Sequence, residues 1–324
     1  MLRFLARRMA NYLVLCLLAV FGTYALAALT FDPIAALKRR NPPPPAATIA
    51  DKAHQLHLDQ PIPQRFLGWL GGTLHGDFGL TVYGDPISRD LWSRVGVSLR
   101  LFGFGTLLGV LLGVALGVLG AVRQYRTSDY VTAFASYVLI AAPVFVLGTL
   151  LKFGATQLNL AVGVPLLQFS GEATPGFTGG LGAELLDRLR HIVLPTLAIS
   201  LGSAAYFSRY QRNAMLDVLG ADFLRTARAK GLTYGRALVK HGLRTALIPM
   251  AALFSYGFTV LIVGGPFTEY IFGWYGMGDW LITGIQTQDA NLTATVTLFM
   301  AICVLVSGLV ADLAYAALDP RVRM

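Results

Sequence analysis

The sequence has 324 residues, of which 55% are hydrophobic and only 13% are charged, whereas about 25% of the residues in a soluble domain are charged. This composition excludes an ordinary soluble domain and predicts a membrane protein. The net charge of +9 at pH 7 does not indicate nucleic-acid binding, because the basic residues cluster in a few segments between apolar blocks.

Six apolar blocks approach or exceed the roughly 20 residues that cross a hydrocarbon core as a helix. The first resembles a signal peptide, because Arg3, Arg7 and Arg8 precede it, but it is too long and has no small-residue cleavage site. We therefore predict a retained span and a single all-α membrane domain covering residues 1–324. The predicted spans are 9–30, 101–122, 131–153, 191–207, 246–268 and 292–317.

Lysine and arginine are distributed unequally between the segments that join these spans. If both termini are cytoplasmic, the inner segments hold 15 Lys and Arg against four acidic residues, and the outer segments hold ten against 12. An excess of Lys and Arg marks the cytoplasmic side of a membrane protein. The sequence therefore predicts cytoplasmic termini, an outer loop over 31–95 and a cytoplasmic loop over 208–247.

The second predicted span carries Gly105, Gly109, Gly113 and Gly117, one glycine every four residues. This spacing places them on one face of a helix, where they allow close approach of another backbone. We interpret them as a packing face, with a glycine-lined conduit as the minority alternative. They do not form a dinucleotide fingerprint, because no strand precedes them.

Few residues in the spans have polar chemistry. Asp312 lies near the cytoplasmic end of the last span, where an intramembrane carboxylate either has a function or reaches the headgroup water. His54 and His57 lack further ligand-type neighbours, so we interpret them as part of a solvated helix face and predict no metal site.

The cytoplasmic loop 208–247 contains clear helix signals. Gly220 suits the end of one helix, and Asp222 suits the N-cap of the next. Residues 223–230 are then predicted to form a short helix, about 12 Å long, which Gly231 ends.

Two faces of this short helix are predicted to differ. Phe223 and Ala227 share one face, Arg225 and Arg228 share another, and the small residues Ala227 and Ala229 allow a partner to come close. The pattern favours a docking helix as much as a simpler alternative, in which the basic residues only satisfy the charge rule for cytoplasmic loops.

The loop resembles the EAA loop of ABC importer permeases, in which small or acidic residues precede a glycine by four positions. Thr226, Ala227 and Gly231 fall on this pattern. Arg225 and Arg244 depart from the general signature, in place of its acid and its proline, but both departures resemble the oligopeptide/dipeptide permease branch, as does the run RTARAKGL.

Further motifs extend the resemblance over nearly the whole chain. On these motifs, the chain is identified as a member of the oligopeptide/dipeptide permease family, of the B-type and most similar to its mycobacterial form. They are Gly76-Asp77-Phe78-Gly79 with Pro86, the run IFGWYGMGDW at 271–280, Gln288-Asp289, and the ending ALDPRVR at 317–323.

The resemblance implies the transmembrane fold of a type I ABC importer in a bacterial inner membrane. It implies four kinds of partner: a second permease of the C-type, two ATPase subunits, an external peptide-binding lipoprotein and membrane lipid, with no nucleic acid. It assigns ATPase coupling to Asp222, Phe223, Arg225, Thr226, Ala227, Arg228, Ala229, Lys230 and Gly231.

The chain itself is expected to be a non-catalytic permease without a cofactor. It has no GxxxxGK[ST] phosphate loop, so ATP and magnesium are expected on the partner ATPases, and it has no HExxH, CxxC or GxSxG motif. Oligopeptides or dipeptides are the expected cargo. The alternatives are the same importer with nickel or glutathione as cargo and, more remotely, an integral membrane enzyme or a structural subunit.

Overall fold

A computed structural model describes residues 2–39, 41–42, 44–250, 253 and 265–318, and the side chains of these residues except 2–6, 36 and 311–318. The described residues form helices joined by turns, with one isolated bridge between Leu80 and Pro86. The helices are α1 (Leu2–Thr30), α2 (Ala35–Lys38), α3 (Ala46–Gln55), α4 (Ile62–Leu74), α5 (Ile87–Val122), α6 (Thr127–Ala141), α7 (Val144–Val162), α8 (Gly180–Leu219), α9 (Asp222–Ala229), α10 (Tyr234–Ala237), α11 (Arg244–Ala246), α12 (Pro266–Phe272), α13 (Met277–Gln286) and α14 (Ala290–Leu318), with a π-helical turn at Leu238–Leu243 between α10 and α11.

Five helices within the described ranges are long and apolar enough to cross a membrane: Arg7–Thr30 of α1, then α5, α7, α8, and Ala290–Val310 of α14. Most of the predicted span 246–268 lies outside the described residues. The fold is therefore an all-α membrane fold, as predicted, with five described candidate spans.

Two predicted spans are much shorter than the observed helices. Helix α5 begins at Ile87, so the last part of the predicted outer loop 31–95 is helical. Helix α8 covers 40 residues, about 60 Å, and includes residues 208–219, which we had assigned to the cytoplasmic loop. In both places polar residues continue an apolar helix, and the hydropathy change marks the edge of the apolar block and not the end of the helix.

The predicted span 131–153 corresponds to two helices, α6 and α7, which are separated at Ala142-Pro143. Proline has no N–H for the helix ladder and disfavours the α conformation at the residue before it. Ala142 is accordingly extended, with ψ of 125°, and Pro143 is the N-cap of α7.

The described chain divides into two compact units, residues 1–98 with 275–305, and residues 99–274 with 306–324. In the first unit α4 packs on α1 through an aromatic cluster, in which the rings of Tyr24 and Phe66 lie 5.6 Å apart at 63°. Trp69 adds a third ring and donates from Nε1 to the carbonyl oxygen of Phe78. Ala294 of α14 closes this core.

The same unit joins two motifs that are distant in sequence. The carboxylate of Asp289 is 3% exposed and accepts hydrogen bonds from the backbone N–H of Val82, at 2.7 Å, and of Leu292, at 2.9 Å. Asn291 donates to the carbonyl oxygen of Leu80. The segment from Gly76 to Pro86 and the Gln288-Asp289 motif therefore fold together in this unit.

In the second unit the α5 glycines pack against α8, which confirms the packing face predicted for them. A Cβ atom added to Gly105 would lie 2.6 Å from Ile199, and one added to Gly109 would lie 2.5 Å from Cβ of Ser203. Gly113 and Gly117 continue the contact along α8 toward its C-terminus. Since each glycine meets the next turn of α8, the two helices are held at backbone distance over about three turns.

A cation within α7 is a feature that the sequence analysis overlooked. Lys152 lies in the middle of this candidate span and donates from Nζ to the carbonyl oxygen of Ile271 at 2.6 Å. The rings of Phe169 and Phe272 flank it at 5.4 and 5.9 Å. The ammonium caps the end of α12, which accounts for a charge within an apolar helix. The side chain of Asp312, the in-span charge that we had singled out, lies outside the described side chains.

Candidate functional site

The segment predicted to carry function folds into the short helix α9, directly after the longest helix of the chain. Helix α8 ends at Leu219, Gly220 is its C-cap, and Ala221 is extended, with φ of −76° and ψ of 141°. Ala221 is therefore the N-cap of α9, and Asp222 is its first helical residue. The prediction that Asp222 caps the helix is wrong by one position, and Ala221 provides no side-chain capping hydrogen bond.

Gly231 follows α9 and adopts a positive φ, a backbone conformation that glycine permits. Its φ is +91°, and its N–H donates to the carbonyl oxygen of Arg228 at 2.9 Å. Leu232 then donates to the carbonyl oxygen of Ala227, which turns the chain away from the helix axis. An added Cβ at Gly231 would meet no atom within 4 Å, so backbone conformation, and not space, requires glycine here.

One face of α9 is buried against its own chain. Leu224 and Ala227, three residues apart, are 3% and 8% exposed. They pack into a socket formed by Met215 and Val218 of α8 and Leu238 of the π-helical turn, together with Ala121, Ala237 and Ala246. Burial of a leucine side chain contributes about 2 kcal/mol, so the socket fixes α9 to the end of α8.

The prediction that Phe223 and Ala227 share the face that meets a partner is wrong. Ala227 packs inward and is not available to a partner, whereas Phe223 is 41% exposed. Leu224 was missing from the predicted site, although its spacing from Ala227 and the following Leu232 is the apolar pattern of a buried helix face. The other predicted residues are exposed: Asp222, Arg225, Thr226, Arg228, Ala229, Lys230 and Gly231.

The exposed face of α9 is cationic and has one large apolar side chain. Arg225 and Asp222 form an ion pair at 3.5 Å, with side chains 78% and 93% exposed, so the pair contributes little to stability. The guanidinium of Arg228 lies 5.5 Å from the ring centre of Tyr234. A partner could therefore bury the side chain of Phe223. The exposed cations of the same segment, Arg225, Arg228 and Lys230, could donate hydrogen bonds to that partner.

Above the socket, an ion pair joins α6 to α8. Arg212 donates from Nε and Nη2 to the two carboxylate oxygens of Asp129, at 2.6 and 2.7 Å. The N–H of Tyr125 is a third donor. The hydrogen bonds from Arg212 hold the pKa of Asp129 below its usual range, against the opposing effect of burial. Such a bidentate pair fixes both distance and angle between two helices.

The described residues contain no group of three or more His, Cys, Asp or Glu side chains that could hold a metal ion. What they provide is a bundle of long apolar helices and, at the end of the longest, a short amphipathic helix anchored on one side. This architecture defines a membrane component whose exposed helix is available to another subunit.

Comparison with known proteins places this component in a family. Residues 109–324 match the family described as binding-protein-dependent transport system inner membrane component. The chain belongs to this family, and it is a permease subunit of an ABC importer.

Relatives that match most or all of the chain are named as peptide permeases. The chain is 54% identical over 324 residues to the oligopeptide transport system permease protein OppB of Mycobacterium tuberculosis, with both chains covered completely. It is 34% identical over 270 residues to the oligopeptide transport system permease protein AppB of Bacillus subtilis, covering 82% of each chain. The oligopeptide/dipeptide permease family predicted from the loop motifs is thus confirmed.

A solved structure supports the fold. The methionine ABC transporter MetNI, in an inward-facing conformation, superposes with a TM-score of 0.53 at 19% identity, covering 71% of this chain and 96% of the other. This similarity confirms the predicted type I importer fold.

Proposed function

We propose that α9 is the coupling helix of this permease and docks in a groove of a partner ATPase subunit. The observation that carries the proposal is its two-sided character. Leu224 and Ala227 seat the helix in its own chain, while Phe223 and Arg225 are presented outward. A helix anchored in this way moves together with α8 when a partner pushes it.

The contacts of α8 would transmit a movement of α9 to the other membrane helices. Met215 and Val218 receive α9, Arg212 holds α6 through Asp129, and the α5 glycines lie against the middle of α8. Closure of two ATPase subunits on ATP and magnesium, bound by those subunits, would rock these helices between inward- and outward-open states. This chain contributes no catalytic residue in the proposal.

The cargo of the proposed importer is oligopeptides or dipeptides, on the support of the relatives' names and of the loop motifs. Its further partners are a second permease of the C-type and an external peptide-binding lipoprotein. The charge distribution supports cytoplasmic termini, an outer segment 31–95 and an inner α9, in a bacterial inner membrane. Nickel or glutathione as cargo is the alternative, and no described feature favours it over peptides.

The coupling role is tested by Phe223→Ala in the reconstituted complex. The variant removes a side chain that is 41% exposed and lies outside the buried cluster beneath α9, so the complex is expected to assemble, while peptide uptake per ATP hydrolysed falls about tenfold. Val239→Ala is the matched control, because Val239 is also an exposed hydrophobic side chain, 65% exposed, but lies outside α9. Equal uptake per ATP in the two variants contradicts the coupling role.

The cargo is tested separately, with the external binding protein present. Vesicles that contain the complex are offered short peptides, glutathione and nickel, and ATP-dependent uptake of each is measured. The proposal expects uptake of peptides. Uptake of nickel or glutathione with none of any peptide contradicts the peptide cargo and leaves the importer architecture intact.

A further inference from the structure

A cavity of about 470 Å³, lined by both polar and apolar groups, lies in the first compact unit, between α1, the end of α3, α4 and the turn after α4. Its size is within the range of small-molecule sites, about 300–1,000 Å³. The aromatic side chains of Tyr24 and Trp69 form its apolar wall, and both are nearly buried. No part of the proposed coupling mechanism uses it.

The cavity presents one cation and one anion that do not neutralise each other. Arg65 and Asp77 both line it, and neither belongs to a salt bridge among the described residues. The Arg65 guanidinium lies 6.0 Å from the ring centre of Tyr24 and hydrogen-bonds the hydroxyl of this residue, while its Nε is buried without a hydrogen bond. Asp77 accepts one hydrogen bond, from Gly79 N–H to Oδ1. Each charge therefore retains capacity for a ligand.

The other polar side chains of the lining are the imidazole of His57, which lies 3.5 Å from Nε2 of Gln60, and the amides of Gln55, Gln60, Gln64 and Asn291. They supply donors and acceptors that suit the peptide group, which carries one of each. A wall of aromatic rings, a separated pair of opposite charges and neutral amides together match a small zwitterion with internal amide groups.

The orientation of α4 indicates which ligands can reach the cavity. Leu67 and Leu74 are 63% and 78% exposed and lie on one side of the helix. Gly68 and Gly72 line the cavity from a different side, because successive helical residues are about 100° apart. The leucine side suits contact with lipid, and the cavity side is then turned toward water.

We propose that this cavity binds short zwitterionic peptides, with Arg65 receiving the C-terminal carboxylate and Asp77 the N-terminal ammonium. The inference rests on the proposed peptide cargo and the proposed outer location of residues 31–95. It assigns the outer segment a peptide subsite of its own, separate from the external binding protein.

The glycines of α4 provide a matched pair of variants. An added Cβ at either Gly68 or Gly71 would meet no atom within 4 Å, so both positions accept a Cβ, and Gly68→Leu and Gly71→Leu form the pair. Only Gly68 lines the cavity. The leucine at position 68 occupies cavity volume, whereas the same side chain at position 71 does not.

The test measures equilibrium binding of radiolabelled trialanine to the assembled complex in nanodiscs, without the external binding protein. Wild type and Gly71→Leu are expected to bind saturably, and Gly68→Leu at least tenfold more weakly. N-acetylation or C-terminal amidation of trialanine is expected to weaken wild-type binding about tenfold, since each removes a charge-assisted hydrogen bond.

Charge variants assign the two ends of the peptide. Asp77→Asn, which keeps the Oδ1 acceptor for Gly79, is expected to bind acetylated and free trialanine equally. Arg65→Gln is expected to bind the amide and the free acid equally. The inference is overturned if wild type shows no saturable binding, if blocked termini bind as well as free ones, or if Gly68→Leu binds like Gly71→Leu.

Uptake measured with the binding protein present separates this inference from the proposed function. Normal ATP-dependent uptake of trialanine without binding to the cavity overturns only the subsite. An equal loss of uptake for every solute in Gly68→Leu, with unchanged trialanine binding, identifies the surface as a contact of the binding protein and also overturns it. Absence of uptake of any peptide by wild type overturns the proposed cargo.

Discussion

Glycine serves opposite purposes at Gly105, Gly109 and Gly113 of α5 and at Gly68 and Gly71 of α4. Along α5, a Cβ added at Gly105, Gly109 or Gly113 would lie 2.5–2.6 Å from an atom of α8. Along α4, a Cβ at Gly68 or Gly71 would meet nothing within 4 Å. The difference shows that glycine removes a side chain either to bring two backbones together or to leave a space open. The first use has a sequence signal, the regular spacing of four, and the second has none.

The largest effect is expected at the glycine contact between α5 and α8. Gly113→Leu places a side chain against Phe207, Ala204 and the backbone of Ser208, so α5 and α8 separate and the chain loses its assembled fold. Gly103→Leu is the matched control, because an added Cβ there meets nothing within 4 Å on the same helix. The yield of assembled complex in membranes measures both. A normal yield of the Gly113 variant would show that α5 and α8 do not depend on this contact.

A second effect concerns the ion pair next to the same interface. Asp129→Asn leaves the guanidinium of Arg212 without its carboxylate in a partly buried position and costs about 2 kcal/mol. Because the folded-state pKa of Asp129 is lowered, its contribution is present above the ordinary carboxyl pKa of about 3.9 and is lost as pH falls through the lowered value.

Thermal unfolding of the solubilised complex between pH 3 and pH 7 tests this pair. The wild type is expected to lose stability toward the acid end, and the Asn variant to lose less over the same interval. Identical acid profiles of the two proteins would exclude a stabilising role of the ionised carboxylate.

Gly231 represents a third use of glycine, in which conformation alone matters. Its φ of +91° is strained for any other residue, but no atom opposes a side chain. Gly231→Ala is therefore expected to cost about 1 kcal/mol and to reduce the uptake of solute per ATP, and Gly231→Leu to act in the same way without a further clash. Gly235→Ala serves as the control, because Gly235 also meets no atom within 4 Å and has no positive φ. A Leu variant far worse than the Ala variant would point to a hidden contact.

The smallest effect on stability is expected at Gly68 and Gly71, where an added Cβ would meet no atom within 4 Å. Gly68→Leu and Gly71→Leu change neither packing nor backbone conformation, and leucine favours a helix over glycine by up to about 1 kcal/mol. Thermal unfolding should therefore show unchanged or slightly raised stability for both. A marked loss at position 68 alone would mean that the cavity closes in the folded protein.

The sequence predicted the helical membrane fold and the family, because long apolar blocks and the motif of the cytoplasmic loop 208–247 are local patterns. It predicted the position of α9 within one residue. It did not predict which face of α9 is buried, because the socket of Met215, Val218 and Leu238 is formed by tertiary packing. For the same reason the sequence analysis missed Leu224 and paired Phe223 with Ala227.

The polar contacts were beyond sequence reasoning for a different reason. Asp129 and Arg212 are 83 positions apart, and Lys152 is 119 positions from the carbonyl group that it contacts. No local periodicity connects such residues. The span limits predicted from hydropathy also fell short of the helix ends where polar residues continue an apolar helix, as at the start of α5 and the end of α8, although Gly220 was correctly predicted to end a helix.

The central claim, that the exposed face of α9 contacts an ATPase, is tested most directly by site-specific photo-crosslinking in the intact complex. A photoreactive phenylalanine analogue at Phe223 is expected to give an adduct with an ATPase subunit. The same analogue at Tyr210, an exposed aromatic residue on α8, is expected to give none. An ATPase adduct from position 210 and none from position 223 would contradict the account.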